Sequence, residues 1–392
     1  MSGVVLPLGF IPLVDAAPLI VAQELGFAEE ERLTFELRRA ASWSMLRDML
    51  SFGQVAAAHM LAPVPVATAL GLGGGAGQLD ALQVLSVNGN VIGVSRALAA
   101  RMREAGHGFD FADAAAAGRA LIAAAGEGLR IGVPFPFSMH AELLYYWLGA
   151  LGFRVPQDLA VRTVPPPQMA AALATDEIDA FCVGEPWGSI AVATGAGDLL
   201  LPGSAIWSFA PEKVLATRHD WAEREPEVAG RLMRAIWRAG RWLGDPANRI
   251  TASEILARPQ YLDLPAEVPE RGLAGDLVIS PEGAEAQVPG FLEFHAGLAA
   301  FPWRSQAAWI GARMAARLGL DRNEALEAAR AVFRSDLYRR NLAGAGAEMP
   351  ATSDKVEGGA EAPILAAGGA SGVILPRNRF FDGGIFDPAP GS

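Results

Sequence analysis

The sequence predicts an α/β protein built as two lobes, on three observations. Strand-like and helix-like stretches alternate along most of the chain, the pattern of a parallel-rich sheet with helices on both faces. At 392 residues the chain is long enough for two cores. About half of it is hydrophobic (51%) and only 19% is charged, a composition that folds.

The elements follow in order. Residues 4–10 read as a first strand, and Asp15 is a candidate cap for a helix over 16–25. Residues 33–38 alternate as a strand, 43–51 are helical and 57–61 form a short strand. Gly71-Leu-Gly-Gly-Gly-Ala-Gly77 superficially resembles a phosphate loop. It lacks the following Lys-Ser/Thr and leads from a helix into a strand, so it reads as a structural loop. Strands at 82–87 and 91–95 flank Asn88-Gly89-Asn90, which has the composition of a hairpin turn. A second unit follows, with a strand at 129–133, a helix over 140–151 and a strand at 160–164. From Trp207 the chain returns, with an amphipathic helix over 226–243 whose Leu232, Ile236 and Leu243 face a core. Helical segments continue through 303–340. Residues 343–376, Ala/Gly-rich and poorly periodic, predict a mobile linker. Aromatics return in Arg377-Asn-Arg-Phe-Phe-Asp, so 377–392 is expected to dock back on the body.

The net charge of −11 argues against direct nucleic-acid binding, which wants a basic surface. Of 32 Lys and Arg residues only Lys213 and Lys355 are lysines. In so arginine-biased a chain, an ordered lysine is either a chance survivor or a compact point charge in a small pocket. Cys182, between Phe181 and Val183, reads as a packed apolar residue; a lone cysteine makes no internal disulfide and suits a reducing compartment. The first 25 residues lack a basic start and are broken by Pro7, Pro12 and Pro18, unlike a signal peptide. No apolar run is long enough to span a bilayer. A cytoplasmic location with no membrane contact is therefore expected. The histidines at 59, 107, 140, 219 and 295 show no metal-ligand spacing, so neither metal nor cofactor is expected.

The most specific stretch runs from Val164-Pro-Pro-Pro-Gln-Met through Phe181-Cys-Val-Gly-Glu-Pro-Trp187. It reads as a proline-fixed entry, a helix over 168–175, a buried strand at 180–183 and a turn at Gly184-Glu185. Pro186 then opens a helix whose free N–H groups favour an anion. The whole string resembles the periplasmic nitrate- and bicarbonate-binding proteins and their cytoplasmic relatives, the NasS-type nitrate/nitrite sensors. The resemblance covers most of residues 4–340. It implies a type II periplasmic-binding-protein fold, two α/β lobes joined by a hinge with ligand between them. Residues 1–95 and 205–342 would form the first lobe and 96–204 the second.

Carried over residue by residue, the resemblance implies five ligand contacts. Trp43, in Ala-Ser-Trp-Ser, matches the segment whose indole N–H points at the anion. His140, in Phe-Ser-Met-His, matches the pocket histidine. Gly184 matches a backbone donor and Lys213, in Pro-Glu-Lys-Val-Leu, the lysine that pairs with nitrate. Asn90 stands where the nitrate binders carry a glutamine, one methylene longer; the plain turn residue remains its alternative. Pro134-Phe-Pro-Phe-Ser-Met departs from the Phe-Pro-Gly-Gly-Thr of the transporter proteins. Bicarbonate binders are expected to hold calcium with a carboxylate at the position of Lys213, and a lysine would repel that cation. No nucleophile–base pair is evident, which disfavours an enzyme. The resemblance implies a nitrate or nitrite sensor whose partner is an RNA-binding antiterminator of the NasT (ANTAR) type. The alternative is the solute-binding subunit of a nitrate, sulfonate or bicarbonate transporter.

Overall fold

The computed structural model describes residues 3–74, 77–126, 128–369 and 372–389. Gly75 and Ala76 of the glycine-rich loop, 370–371 of the expected linker and 390–392 of the tail lie outside the described residues.

The strands are β1 (Val4–Phe10), β2 (Leu33–Arg39), β3 (Ala57–Leu61), β4 (Leu79–Asn88), β5 (Asn90–Ser95), β6 (Leu129–Val133), β7 (Leu159–Thr163), β8 (Ala180–Gly184), β9 (Gly197–Pro202) and β10 (Pro211–Arg218). Shorter ones follow: β11 (Asp276–Val278), β12 (Glu285–Gln287), β13 (Leu292–Glu293), β14 (Ile364–Ala366) and β15 (Val373–Leu375). Two sheets hold the molecule together, one ordered β13-β4-β10-β3-β1-β2 and the other β7-β6-β8-β5-β9. The alternation implied an α/β architecture, and the two sheets make it the α/β periplasmic-binding-protein fold that the resemblance implied.

Both sheets are mixed rather than simply parallel-rich. β1 runs parallel to β2 and β3, and β6 parallel to β7 and β8. The antiparallel strands β5 and β10 are the ones by which the chain enters each lobe from the other. A strand arriving directly from across the cleft needs no crossover helix, so it can insert with reversed direction.

Asn88-Gly89-Asn90 is such a crossing. β4 and β5 on its two sides belong to different sheets, so it is not a hairpin turn. The expected boundary at 95/96 thus moves to Gly89, because β5 pairs with β8 and β9 in the second lobe. Asn88 holds its position by donating to Ser208 O at 3.0 Å and accepting from Ala210 N at 3.1 Å, both on the return crossing.

The described part of the segment expected as a mobile linker is ordered against the body. Ser305 Oγ donates to the buried Glu357 at 2.6 Å, Arg304 N to Ser353 O at 2.9 Å, and β14 pairs with β15. Small residues remove periodicity from the sequence but also let a backbone lie flat on a surface. Beyond it Phe380, 1% exposed, packs on Trp207 at 4.9 Å and Trp309 at 5.7 Å between ring centres. Tyr146 OH, from the second lobe, donates to Asp382 at 2.7 Å. The described part of the tail therefore straps both lobes on the hinge side.

Candidate functional site

The five residues singled out in the sequence lie together between the two sheets. Two sit at helix starts. Ser42 caps the helix Trp43–Ser51, its Oγ accepting from Met45 N at 3.2 Å, which puts the Trp43 indole in the first turn. Ser138 caps the helix Met139–Ala150, accepting from Ala141 N at 3.2 Å and donating to Phe135 O at 2.7 Å, which fixes His140. Each helix start adds partial positive charge.

β10 supplies the cation. Its register against β4 shifts between Pro211 and Lys213 and again at Val214. Neighbours on a regular strand face opposite ways, but this bulge brings Glu212 and Lys213 to one cluster. Lys213 Nζ lies 2.7 Å from Asp15 Oδ2, 2.9 Å from Glu212 Oε1 and 5.6 Å from the centre of the Trp43 ring. His59 Nε2 lies 2.9 Å from Asp15 Oδ1. His140 Nδ1 lies 3.2 Å from Glu212 Oε1, and Asn90 Nδ2 donates to Glu212 Oε2 at 2.8 Å. A Cβ on Gly184 would stand 3.3 Å from Leu13 and 3.7 Å from Asp15 Oδ2, so the second lobe approaches the first closely there. All these side chains are buried.

Several expectations change. Asp15 caps no helix; its carboxylate goes to Lys213 and His59 instead. The helix Trp187–Ala193 does not offer its start to an anion, because Ser189 N donates to Glu185 Oε2 at 3.3 Å. The Asn90 amide is engaged by Glu212, and its Oδ1 lies against Gly203, where a Cβ would clash at 1.7 Å. Asn90 thus supports the cluster by holding Glu212.

Asp15, His59 and Glu212 were missed by the sequence reading. A single histidine in the apolar strand Ala57-Ala-His-Met-Leu61, and an acid beside the rare lysine, were the available signals.

Charge in the cluster is unequal. Burial opposes ionising Asp15, yet Lys213 and His59 hold its carboxyl well below the usual range. Burial pushes Glu212 up to about 6 against the pull of Lys213. Lys213 stays charged: burial opposes it, but Asp15 and Glu212 raise it above its ordinary value. Burial, with Lys213 adding to it, drives His140 well below the ordinary histidine range, so it is a neutral imidazole. Burial likewise lowers His59. Burial raises the Cys182 thiol far above its ordinary value, which leaves it inert.

Trp43 Nε1 and His140 Nε2 have no hydrogen-bond partner among the described residues. Buried polar groups are normally paired, and an indole N–H can only donate. Two such groups beside an ammonium suit a small guest that accepts hydrogen bonds.

A clasp closes the lobes over this cluster. Val14 N donates to Glu185 O and Trp187 Nε1 to Pro12 O, each at 2.9 Å. The apolar core continues across, with Ile11, Leu13 and Met60 of one lobe clustered with Ile92, Cys182 and Leu201 of the other.

A sealed polar cluster between two hinged lobes defines the class of substrate-binding proteins, to which the fold also belongs. Residues 4–257 match the NMT1-like family, and the chain belongs to it. It is 34% identical over 86% of its length to the nitrate import ATP-binding protein NrtC of Synechococcus elongatus, spanning about half (50%) of that relative. It is 30% identical over 97% of its length to the nitrate/nitrite binding protein NrtA of Nostoc sp., covering 82% of it. The crystal structure of the periplasmic nitrate-binding protein NrtA from Synechocystis superposes with a TM-score of 0.84 at 26% identity, covering 99% of this chain and 96% of that one. An alkanesulfonate-binding protein SsuA from Xanthomonas axonopodis, at 19% identity and TM-score 0.58, covers 84% of this chain and 98% of its own and shares the fold.

Proposed function

We propose that the protein binds nitrate or nitrite between its lobes and releases it when they part. The observation that carries this reading is the sealed Lys213 ammonium flanked by two buried, unpartnered groups, Trp43 Nε1 and His140 Nε2. Nitrate is small, planar and singly charged, and accepts hydrogen bonds only. An ammonium at about 4 Å contributes roughly 4 kcal/mol at an effective dielectric near 20. The indole and the neutral imidazole would add oriented bonds. Relatives named for nitrate support the same ligand.

In its finer form the reading is a cytoplasmic sensor. Closure on the anion shifts the population of lobe positions, and a partner that prefers one position senses the ligand. That partner is an RNA-binding antiterminator of the NasT type, as the resemblance implies. The second reading, a transporter's solute-binding subunit, is favoured by the import role in the relatives' names.

Calorimetric titration with nitrate, nitrite, bicarbonate and an alkyl sulfonate tests the ligand. Binding of bicarbonate or sulfonate alone would remove it. Co-purification with the antiterminator, with and without millimolar nitrate, tests the sensor; a complex indifferent to nitrate favours the transport reading.

A further inference from the structure

The cluster that would hold the anion is already negative. Two carboxylates, Asp15 and Glu212, contact one ammonium, Lys213. The histidines that face them, His59 against Asp15 and His140 against Glu212, are both neutral because burial lowers them. Asn90 from β5 and Cys182 from β8 complete the surroundings of Glu212 and bring no charge. An anion sealed into this space would face two carboxylates with a single compensating charge, all of them buried away from bulk solvent.

We propose that the anion enters together with one proton, taken up by the Glu212–His140 pair. This deepens the anion-binding reading and rests on it. The geometry selects the pair. Asp15 is bound to both Lys213 and His59, so a proton there would break two polar contacts. Glu212 Oε1 instead shares Lys213 with Asp15 and lies 3.2 Å from His140 Nδ1. A proton between Oε1 and Nδ1 leaves His140 Nε2 free as a donor to the guest, whichever of the two atoms holds it. Burial already raises the affinity of Glu212 for a proton, and an added anion raises it further.

The sign follows. Below about pH 6 Glu212 already carries the proton, and affinity is constant. Above it, each anion must bring a proton from solvent, and affinity falls by up to about tenfold per pH unit.

The test is calorimetry of the whole chain with nitrate, from pH 5.5 to 8.5, in two buffers of different ionisation enthalpy. The expected result is uptake approaching one proton per nitrate at pH 8, with affinity levelling off below pH 6. Glu212→Gln should still bind nitrate, with no uptake and a flat profile. A wild type that binds nitrate with a flat profile and no uptake overturns the proposal while leaving the anion reading intact. No nitrate binding at any pH removes both. Glu185, the buried acid of the clasp, is the control: uptake that survives Glu212→Gln but vanishes in Glu185→Gln assigns the proton to the clasp and overturns the proposal. Should Glu212→Gln not fold, wild-type uptake that persists in Glu185→Gln supports the pair, and uptake that is lost there overturns the proposal.

Discussion

The only two lysines of the chain sit in matching surroundings and do different things. Lys213, in the cleft, lies over Trp43 beside Glu212; Lys355, under the C-terminal strap, lies 5.4 Å from the Trp303 ring centre and is ion-paired with Glu357. The difference is in the count of charges. Lys355 has one carboxylate, which Ser305 and Asn378 also bind at 2.6 and 2.7 Å, and that neutral unit is satisfied within the protein. Lys213 has two carboxylates for neighbours, and beside them Trp43 Nε1 and His140 Nε2 are without a partner among the described residues. A balanced buried pair fastens structure, whereas an unbalanced one responds to what arrives. The same contrast appears in proton affinity: burial outweighs the single partner and lowers Lys355, while the two partners raise Lys213.

Exchanging the lysines' fates is the strongest way to break this comparison. Lys213→Ala should weaken nitrate binding by about a hundredfold or more, since it removes the one cation and leaves two buried carboxylates unpaired. Lys355→Ala should destabilise the protein by about 3 kcal/mol yet leave nitrate affinity within about threefold. Thermal melts and calorimetry on the two variants decide; equal effects on binding would dissolve the distinction.

Glu185 extends the series to an acid with no ion pair among the described residues. Burial raises it to about 7 from an ordinary 4.5. A carboxyl raised on folding stabilises fully below its unfolded value and loses that contribution as pH climbs through 7. Glu185→Gln should therefore stabilise the protein by on the order of 3 kcal/mol at pH 8 and by almost nothing at pH 4. Melting temperatures at the two pH values give the answer, and a variant no more stable at pH 8 contradicts it.

Lys213→Arg should cost about tenfold in nitrate affinity, because a planar fork does not fit where a point charge touches two carboxylates. Trp43→Phe keeps the ring under Lys213 and removes only the N–H. It should cost about 1 kcal/mol, or roughly fivefold, in affinity. An unchanged affinity would take the indole out of the ligand's reach.

Much of the fold was legible because it is written in periodicity. The strands at 4–10, 57–61 and 129–133 have their expected bounds, and so does the helix Pro226–Leu243, with Leu232, Ile236 and Leu243 buried. What periodicity cannot carry is where the chain changes sheets. Asn88-Gly89-Asn90 has hairpin composition, and only the pairing of β5 with β8 makes it a crossing. The docking of 377–392 was legible in its aromatics, but the order of 343–376 was not: it comes from single contacts such as Ser305 to Glu357, 52 residues apart, and not from a repeating face. In the cleft, the residues carried by motifs came together. The acids did not announce themselves, because Asp15 looks like a cap and Glu212 becomes a neighbour of the cluster only through a bulge.

The scarcity of lysine has a practical consequence. An amine-directed acylating reagent meets few targets on this molecule. The Lys213 side chain is wholly covered and that of Lys355 is 11% exposed. Acylation of residue 213 therefore requires the lobes to separate first, and its rate, read peptide by peptide in a mass spectrometer, times the opening of the cleft. Lys355 on the same molecule times the peeling of the strap. A saturating ligand should slow the first reaction and leave the second as it was, so one chemical trace separates breathing of the cleft from fraying of the hinge side.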